Sequence, residues 1–259
     1  METKTKIKFG KMNGCGNDYV FVDASQNPLP HDLAKLAVAV SNRNYGIGSD
    51  GLVLIYKETT PRMRIFNADG SEAEMCGNAI RCVARYLADN DCTPTHIDTL
   101  AGKKSVTVCV DTVEKNFTSV QVNMGTPSII NGLVHGYTLV NTGNPHAVRV
   151  VKRNGKRAFE EAERLSKSYA GGINVELVEV LSRKQVRIRV YERGSGETLA
   201  CGTGATATVF ALRKMGLVDP AVTCILKGGE LQITENPDGT YTMSGNAEYN
   251  FTGVYDYYG

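Results

Sequence analysis

The sequence predicts an α+β protein with two pseudo-symmetric domains, each a curved, mainly antiparallel sheet or barrel wrapped around a central helix. Three observations predict this class. A pattern of 125 residues occurs twice, short strand patterns recur along the chain, and each copy contains a helix pattern that is apolar on most sides. A helix of that kind is usually surrounded by protein, which places it at the centre of its domain.

The repeat is clearest around two cysteines. Met63–Asn67 is followed nine residues later by Cys76, and Ile188–Glu192 is followed nine residues later by Cys201. A shift of 125 residues (201 − 76) aligns the two cysteines, and a glycine follows each of them. A unit of this length is close to one ordinary domain. We therefore predict two halves, residues 1–117 with 248–259 and residues 118–247.

Local patterns predict the elements within each half. Period-two alternation or β-branched enrichment predicts strands at 7–9, 19–22, 52–55, 105–110, 119–122, 185–191, 230–234 and 241–243. Helix patterns lie between them, over 32–41, 77–88, 159–167 and 202–215. The Asn-Pro-Asp-Gly sequence at 236–239 is typical of a hairpin turn between the last two strands. Many short strands favour a largely antiparallel sheet.

Composition describes an ordinary globular protein and excludes several function classes. The chain has 259 residues, of which 42% are hydrophobic and 22% charged. A net charge of +2 without a long basic run does not favour nucleic-acid binding. The apolar runs are too short to span a bilayer, and the first residues lack the apolar core of a secretory signal. We expect a cytoplasmic protein that binds neither nucleic acid nor membrane.

Seven cysteines, an odd number without a C-x-x-C pair, predict free thiols rather than a disulfide framework or a zinc site. Four of them lie among apolar or strand-forming neighbours and resemble small core residues: Cys82, Cys92, Cys109 and Cys224. The chain has no dinucleotide fingerprint, no phosphate-binding loop and no metal-spaced histidines. We therefore expect no cofactor and no metal.

Cys76 and Cys201 differ because each follows a polar turn and opens an apolar helix pattern. At a helix N-terminus, unpaired backbone N–H groups and the helix dipole favour an anion. Each thiol is therefore expected to have a pKa below the usual value of about 8.5. The same N–H groups can hold a substrate carboxylate.

Two equivalent thiols predict inversion of a carbon centre by proton exchange. One thiolate removes the α-hydrogen of an amino acid while the opposite thiol delivers a proton, and the roles exchange in the reverse direction. The helix ends would stabilise the carboxylate as it takes up negative charge. The sequence thus predicts cofactor-free racemisation or epimerisation of a small amino-acid substrate.

At this point the chain resembles the diaminopimelate epimerase family, the two-cysteine enzymes of lysine and peptidoglycan precursor synthesis. The resemblance covers nearly the whole chain. It rests on motifs at 11–23 (KMNGCGNDYVFVD), 46–52 (GIGSDGL), 66–78 (FNADGSEAEMCGN), 143–148 (GNPHAV), 173–175 (INV) and 191–205 (YERGSGETLACGTGA). It implies epimerisation of LL-2,6-diaminopimelate to the meso isomer on a fold of the diaminopimelate epimerase type.

The resemblance also implies roles for particular residues. Cys76 and Cys201 would be the acid/base pair, supported by His146 and Glu192, and Glu192 would also contact substrate. The reacting amino-carboxylate end would lie near Asn17, Gly77, Asn78, Gly202 and Thr203. The distal amino-acid group would be gripped by Asn67, Asn144, Asn174 and Arg193. An arginine suits that role because its planar guanidinium can bind a carboxylate through two hydrogen bonds.

Two alternatives remain open at this stage. A histidine or other amino-acid racemase of the same superfamily would use the same chemistry, but the asparagine and arginine set favours diaminopimelate. A thiol redox protein is the second alternative, although the chain has no C-x-x-C motif. One departure from the family pattern is Gly51, where some members have a glutamine that contributes to the site. We also expect a homodimer.

Overall fold

The computed structural model describes residues 4–110, 117–134, 136–153 and 155–259. The chain divides into two compact units, unit 1 being Met1–Gln121 with Asn246–Gly259 and unit 2 being Val122–Gly245. The predicted halves divide at 117 and 248, four and two residues from these positions (121 − 117 and 248 − 246).

Both units contain strands and helices, and among the described residues each unit has two helices between runs of strands. The strands are β1 (Lys4–Gly14), β2 (Asn17–Asp23), β3 (Gly51–Tyr56), β4 (Arg62–Asn67), β5 (Glu72–Ala73), β6 (His96–Thr99), β7 (Gly102–Val110), β8 (Phe117–Asn123), β9 (Ser128–Val134), β10 (Tyr137–Asn141), β11 (Pro145–Val150), β12 (Asn174–Ser182), β13 (Gln185–Glu192), β14 (Gly196–Glu197), β15 (Ala221–Leu226), β16 (Gly229–Glu235), β17 (Tyr241–Gly245) and β18 (Glu248–Tyr258). The helices are α1 (Leu33–Ser41), α2 (Gly77–Ala88), α3 (Lys156–Ser168) and α4 (Gly202–Lys214).

The two units repeat one pairing scheme. In unit 1 the ladders run from β18 through β1, β2, β3 and β4, which pairs with both β5 and β6, and then to β7. In unit 2 they run from β9 through β10, β11, β12 and β13, which pairs with both β14 and β15, and then to β16 and β17. The parallel ladders occupy matching places, at β2–β3 and β4–β6 in unit 1 and at β11–β12 and β13–β15 in unit 2. The predicted fold class, with its duplicated and mainly antiparallel architecture, is confirmed.

Each unit has one helix that is buried on most sides. Nine of the 12 residues of α2 are buried, and α2 contacts β1, β2 and β7. Ten of the 13 residues of α4 are buried, and α4 contacts strands from β10 to β17. Small side chains, alanine and glycine above all, let the strands approach α4 closely. By contrast, only two of the 13 residues of α3 are buried.

All four predicted helices are present, and α2 begins and ends at the predicted residues. The local patterns do not predict several strands, among them β10, β15 and β18. Most of β18 is exposed, and apolar residues occupy its exposed positions as well as its less exposed ones, so the sequence shows no apolar–polar alternation there. Its extended conformation comes from pairing with β1 at the other end of the chain. Among the described residues, no helix is long enough and apolar enough to cross a membrane.

A buried core thiol makes stability depend on pH. Cys224 on β15 is completely buried, and burial raises the pKa of its thiol. In the unfolded chain the thiol ionises near pH 8.5, whereas the folded state keeps the proton. The folded state then binds more protons than the unfolded state, so stability falls as pH rises above that value.

We expect the Cys224→Val variant to lose less stability at alkaline pH than the unchanged protein. Between pH 9 and 10 the slope of the unfolding free energy against pH should be less negative in the variant than in the unchanged protein, by about 1.4 kcal/mol per pH unit. This difference is the effect of one proton. Urea unfolding at pH 8, 9 and 10 measures the two slopes. Equal slopes would contradict the assignment of a buried, protonated thiol at this position.

Candidate active site

In unit 1, Cys76 lies at the start of the buried helix. It is the N-cap of α2, with an extended backbone (φ −136°, ψ 122°), and its carbonyl accepts the first helical hydrogen bond, from the N–H of Ile80 at 3.0 Å. The Cys76 side chain makes no capping hydrogen bond to the helix. Its sulfur is half-buried and therefore directed to other partners.

Asn17 is one of those partners, and a carboxylate fixes its orientation. The Asn17 amide nitrogen donates to Asp50 Oδ2 at 2.6 Å, which turns its oxygen toward α2. That oxygen accepts from the Cys76 thiol at 3.6 Å and from the Asn78 amide at 3.2 Å. The guanidinium of Arg43 holds Asp50 in turn, at 2.9 Å. Three predicted site residues, Asn17, Cys76 and Asn78, are thus brought together within unit 1.

A buried arginine supports the first turn of α2. Arg81 is fully buried and donates to the Gly77 carbonyl at 2.9 Å and to Asn78 Oδ1 at 3.0 Å. It also donates to the carbonyl of Asn246, at 2.9 Å, which ties the C-terminal segment of unit 1 to the helix. Arg81 therefore holds in place two residues that sequence analysis assigned to the substrate.

Tyr19 is a second partner of the Cys76 sulfur. Its ring is buried in β2, and its hydroxyl donates to Cys76 Sγ at 3.6 Å. Burial, and then the nearby Cys76, raise the pKa of the Tyr19 phenol well above its usual value. Sequence analysis did not assign Tyr19 a role, because an aromatic residue in a strand is ordinarily a core residue.

Two other residues of unit 1 lie further from the sulfur. Gly51 is packed so closely that a Cβ there would come 2.1 Å from the carbonyl oxygen of Phe66, so no larger residue fits this backbone. Asn67 is exposed, and its amide donates to the Ser71 hydroxyl at 2.9 Å in the turn after β4. The structure does not bring Asn67 into contact with the Asn17 cluster among the described interactions.

In unit 2, Cys201 is the N-cap of α4 (φ −130°, ψ 112°), in the same position as Cys76 on α2. Its carbonyl accepts from the N–H of Ala205 at 2.9 Å, and its sulfur lies 3.4 Å from the hydroxyl of Thr203. Gly202 is the first residue of the helix and is buried. The predicted position of both cysteines at helix N-termini is therefore correct in geometry.

The expected low pKa is wrong for Cys201. Its thiol is buried, 6% exposed, and burial raises its pKa well above the usual value. The carboxylates of Glu192 and Glu176 raise the pKa further, which outweighs the hydrogen bonds from Thr203 and from the backbone of Gly204. Desolvation and nearby negative charge disfavour the thiolate more than the helix terminus favours it. Cys201 is therefore a protonated thiol at neutral pH.

Glu192 faces the same sulfur. Its carboxylate accepts a short hydrogen bond from the hydroxyl of Thr198. Burial raises its pKa, and hydrogen bonds from Thr198 and Cys201 lower it by less. The Thr198 hydroxyl, which sequence analysis overlooked, orients the carboxylate beside Cys201.

His146 contacts the carboxylate of Glu176, a residue to which sequence analysis assigned no role. Its Nδ1 lies 2.7 Å from Glu176 Oε1, and both side chains are completely buried. Its Nε2 lies 3.0 Å from Asn144 Oδ1. Glu176 is thus a third residue of unit 2 beside the two expected supporting residues, His146 and Glu192. The adjacent strands β11 and β12 bring Glu176 to the histidine, because they pair in parallel there.

Glu176 also packs against the first turn of α4. A Cβ on Gly204 would come 2.5 Å from Glu176 Oε1, so glycine is required at this helical position. The second carboxylate oxygen, Oε2, is buried and has no hydrogen-bond partner among the described residues. A buried carboxylate is stabilised near a helix N-terminus. The repeat gives no signal for this residue, since Glu176 aligns with Gly51 at the shift of 125 (176 − 51).

Asn174 and Arg193 meet in unit 2, as expected for two residues of one recognition set. The Asn174 side-chain oxygen accepts from the backbone N–H of Arg193 at 2.9 Å. The Arg193 guanidinium is exposed and donates to the Gly171 carbonyl at 3.1 Å. Its stem lies over Gly172, where a Cβ would come 2.7 Å from the arginine side chain. The exposed guanidinium has donors left for a ligand.

Solved structures share this architecture. A hydroxyproline epimerase from Agrobacterium vitis, with trans-4-hydroxy-L-proline bound, has a TM-score of 0.71 at 14% identity, over 99% of this chain and 92% of that chain. A phenazine biosynthesis protein of the PhzF family from Bacillus anthracis has a TM-score of 0.71 at 14% identity, over 96% and 99% of the two chains. The protein thus has the fold of that epimerase, with a thiol opening the buried helix of each unit.

Sequence comparison narrows the class to one family. The family model described as diaminopimelate epimerase matches residues 9–130 and 138–250, and the chain belongs to that family. A diaminopimelate epimerase from Agathobacter rectalis is 40% identical, over 96% of this chain and 99% of the relative. One from Methanocella arvoryzae is 40% identical, over 97% and 98%. The protein is therefore an epimerase, an enzyme of the isomerase class, and the family resemblance is confirmed.

Proposed function

We propose that this protein converts LL-2,6-diaminopimelate to meso-diaminopimelate without a cofactor, in the synthesis of lysine and peptidoglycan precursors. The observation that carries the proposal is the thiol at the N-cap of the buried helix in each repeat, Cys76 on α2 and Cys201 on α4. Membership of the diaminopimelate epimerase family supports the choice of substrate.

In the proposed reaction, one sulfur acts as base and the other as acid. A thiolate takes the α-hydrogen of the substrate, and the electron pair of the broken C–H bond moves onto the α-carbon and its carboxylate. The second thiol delivers its proton to the opposite side of the carbon, which inverts the centre. The backbone N–H groups at a helix N-terminus stabilise the negative charge as it develops on the carboxylate.

We assign the reacting end of the substrate to the residues that follow each cysteine. Gly77 and Asn78 follow Cys76, and Gly202 and Thr203 follow Cys201. The hydrogen bond from Asn78 to Asn17 supports this assignment in unit 1, because it holds both amides at the sulfur. We assign these residues, with Asn17, to the reacting amino-carboxylate group.

Glu192 and His146 would support the reaction from unit 2. Glu192 lies beside the Cys201 sulfur, and its raised pKa is consistent with a carboxyl group able to hold a proton. We assign Glu192 to the substrate amino group and to keeping the Cys201 thiol protonated, since its carboxylate disfavours the thiolate. The bond between His146 and Asn144 supports a role for the histidine in orienting a substrate-binding amide.

The distal amino-acid group would be recognised by Asn67, Asn144, Asn174 and Arg193. The contact between Asn174 and the Arg193 backbone supports the assignment, because it orders the arginine while leaving its guanidinium exposed. A guanidinium binds a carboxylate in a planar, two-point geometry. This part of the site would select diaminopimelate over an amino acid without a distal carboxylate.

We also propose a homodimer that uses the edge of unit 1. β18 is long and largely exposed, with Phe251, Val254 and Tyr258 each more than half exposed. An exposed edge strand can pair with a copy of itself across a two-fold axis, which is the usual symmetry of dimers. A second copy is the occupant that this self-complementary strand fits.

A cytoplasmic location is the setting that we propose. All seven cysteines are free in the structure, as expected where thiols are kept reduced. The proposed chemistry also requires it, because a disulfide would remove both the base and the acid.

A substrate panel in D2O tests the reaction and its specificity together. Without added cofactor, the protein should place deuterium at the α-carbon of LL- and meso-diaminopimelate with inversion, and should leave L-histidine and L-proline unchanged. Proton NMR and chiral chromatography measure the two events. Comparable turnover of histidine would reject diaminopimelate as the specific substrate.

The Arg193→Ala variant is expected to lose this specificity. Removing one partner of a charged, hydrogen-bonded contact typically costs 2–5 kcal/mol, so kcat/KM for diaminopimelate should fall about 30-fold or more, mainly through KM. Arg189→Ala is the matched control, because Arg189 lies on β13, the strand that ends just before Arg193, and pairs with Glu197. Equal losses in the two variants would argue against recognition by Arg193.

A further inference from the structure

We propose that the Tyr19 hydroxyl stabilises the thiolate of Cys76 and thereby makes Cys76 the base of the ligand-free enzyme, with Cys201 as the acid. This inference rests on the proposed acid/base role of the two cysteines. It adds a catalytic residue, since the Tyr19 hydroxyl contacts the sulfur that would accept the substrate proton.

The Tyr19 ring is held rigidly beside the sulfur. Only 7% of the residue is exposed, and its ring packs edge-on against Phe21, with centroids 6.3 Å apart. On its other side it borders Gly51, where a Cβ would come 3.1 Å from the ring carbon Cε1. A ring fixed in this way loses little entropy when its hydroxyl meets Cys76 Sγ at 3.6 Å.

The partners of the Cys76 sulfur include one acceptor and one donor. As a thiol it donates to Asn17 Oδ1, and as a thiolate it accepts from the Tyr19 hydroxyl, both at 3.6 Å. The bond from the Asn17 amide nitrogen to Asp50 keeps the amide oxygen on the side of the sulfur. Tyr19 is therefore a donor to the sulfur, and its hydrogen bond is stronger when the sulfur is a thiolate.

The charges around this pair are compatible with that role. Asp50, in the segment before β3, is one charged group near Tyr19. The neighbouring thiol is Cys82 on α2, and burial raises its pKa to about 12, which keeps it protonated. Arg43 neutralises Asp50 through an ion pair of 2.9 Å. The raised pKa of Tyr19 keeps its proton on the phenol at neutral pH, so the hydroxyl stays a donor.

The two units differ in what they present to their sulfurs. Burial and the carboxylates of Glu192 and Glu176 keep Cys201 protonated. The shift of 127 that aligns Asn17 with Asn144 (144 − 17) places Tyr19 at the position of His146, which contacts Glu176. Each sulfur thus has a hydroxyl neighbour, Tyr19 at Cys76 and Thr203 at Cys201, but only Cys201 also has its pKa raised by the two carboxylates. One thiolate and one thiol are the starting state that a two-base inversion needs.

The proton balance is complete in this arrangement. The Cys76 thiolate accepts the α-proton and becomes a thiol, which turns its hydrogen bond from Tyr19 to Asn17. The electron pair of the C–H bond moves onto the substrate, and the Cys201 thiol gives its proton to the carbon. The reverse reaction begins from the thiolate left on Cys201. A further forward turnover requires that Cys201 takes up a proton from solvent and that Cys76 releases one to solvent, which restores the ligand-free state.

The Tyr19→Phe variant tests the proposal. The pH dependence of Cys76 alkylation by iodoacetamide is followed by mass spectrometry of the peptide that contains Cys76. The midpoint should rise by about one pH unit, because a hydrogen bond to a charged group is lost. At pH 7, kcat/KM for diaminopimelate should fall about tenfold and should recover as the pH is raised.

Tyr257→Phe is the matched control, because Tyr257 is a buried tyrosine in the core of unit 1. Its alkylation midpoint should equal that of the unchanged protein. Fluorotyrosine in place of all 12 tyrosines provides a second measurement. A more acidic phenol donates more strongly, so the midpoint should fall in the labelled protein but not in labelled Tyr19→Phe.

The possible failures are distinguishable. An unchanged midpoint in Tyr19→Phe, or a fall in both labelled proteins, would overturn the role of Tyr19 even if both cysteines prove essential. Full turnover by Cys76→Ala would refute the proposed function, while a shifted alkylation midpoint would still show that Tyr19 stabilises the thiolate.

Discussion

Replacing either Cys76 or Cys201 with alanine is expected to abolish epimerisation, with kcat falling by about 10³-fold or more. Each variant lacks either the base or the acid, and a positioned proton donor or acceptor typically contributes 10²–10⁴-fold. The fold should survive, because both cysteines are N-caps whose side chains make no capping hydrogen bond. Chiral chromatography of the product measures inversion, and thermal unfolding checks the fold.

The single variants should also separate exchange from inversion. With one thiol left, the protein can still remove and return a proton on one side of the carbon. Slow exchange of the α-proton with D2O should therefore remain detectable for a single isomer when inversion is lost. Cys92→Ala is the control, because Cys92 lies beyond the end of α2 and is not at the start of a helix. Full inversion by either single variant would end the two-base proposal.

The largest effect on stability is expected for Arg81→Leu. The guanidinium is fully buried and donates to acceptors that include Gly77 O, Asn78 Oδ1 and Asn246 O, so its removal takes a hydrogen bond from each of them. A buried group left without its partner costs about 1–3 kcal/mol, and the losses are only partly additive. We expect the free energy of unfolding to fall by about 3–5 kcal/mol in urea titrations.

Arg64→Leu provides the comparison for this loss. Arg64 makes two hydrogen bonds to Glu72, at 2.7 and 2.9 Å, but its side chain is 28% exposed. An exposed pair of this kind contributes about 1 kcal/mol or less. If Arg81→Leu destabilises the protein no more than Arg64→Leu, the buried arginine does not hold the first turn of α2 in place.

Local signals account for the elements that the sequence predicted well. α2 occupies the predicted residues because a polar turn, an N-cap cysteine and an apolar face all lie within one short segment. The same signals identified α4 and placed both thiols at helix starts. The strand β18 was not predicted because apolar residues occupy its exposed positions as well as its less exposed ones, and its pairing with β1 joins the two ends of the chain.

Site chemistry was harder to predict than site position. The expectation of a low thiol pKa considered only the helix terminus, and it is wrong for Cys201 because burial and two carboxylates act in the opposite direction. One of those carboxylates, Glu176, comes from a strand whose neighbour carries His146. Nothing in a strand pattern distinguishes such a buried glutamate from a surface one.

The sequence by itself determined the duplicated architecture, the family and the two cysteines that open the buried helices, because repeats, glycines and helix starts are local features of the chain. The tertiary structure decided which groups touch those sulfurs. Tyr19 reaches Cys76 across 57 residues, and Glu176 packs on the first turn of α4. Charge and burial at a sulfur are sums over such distant neighbours, so only the folded chain sets which thiol holds its proton.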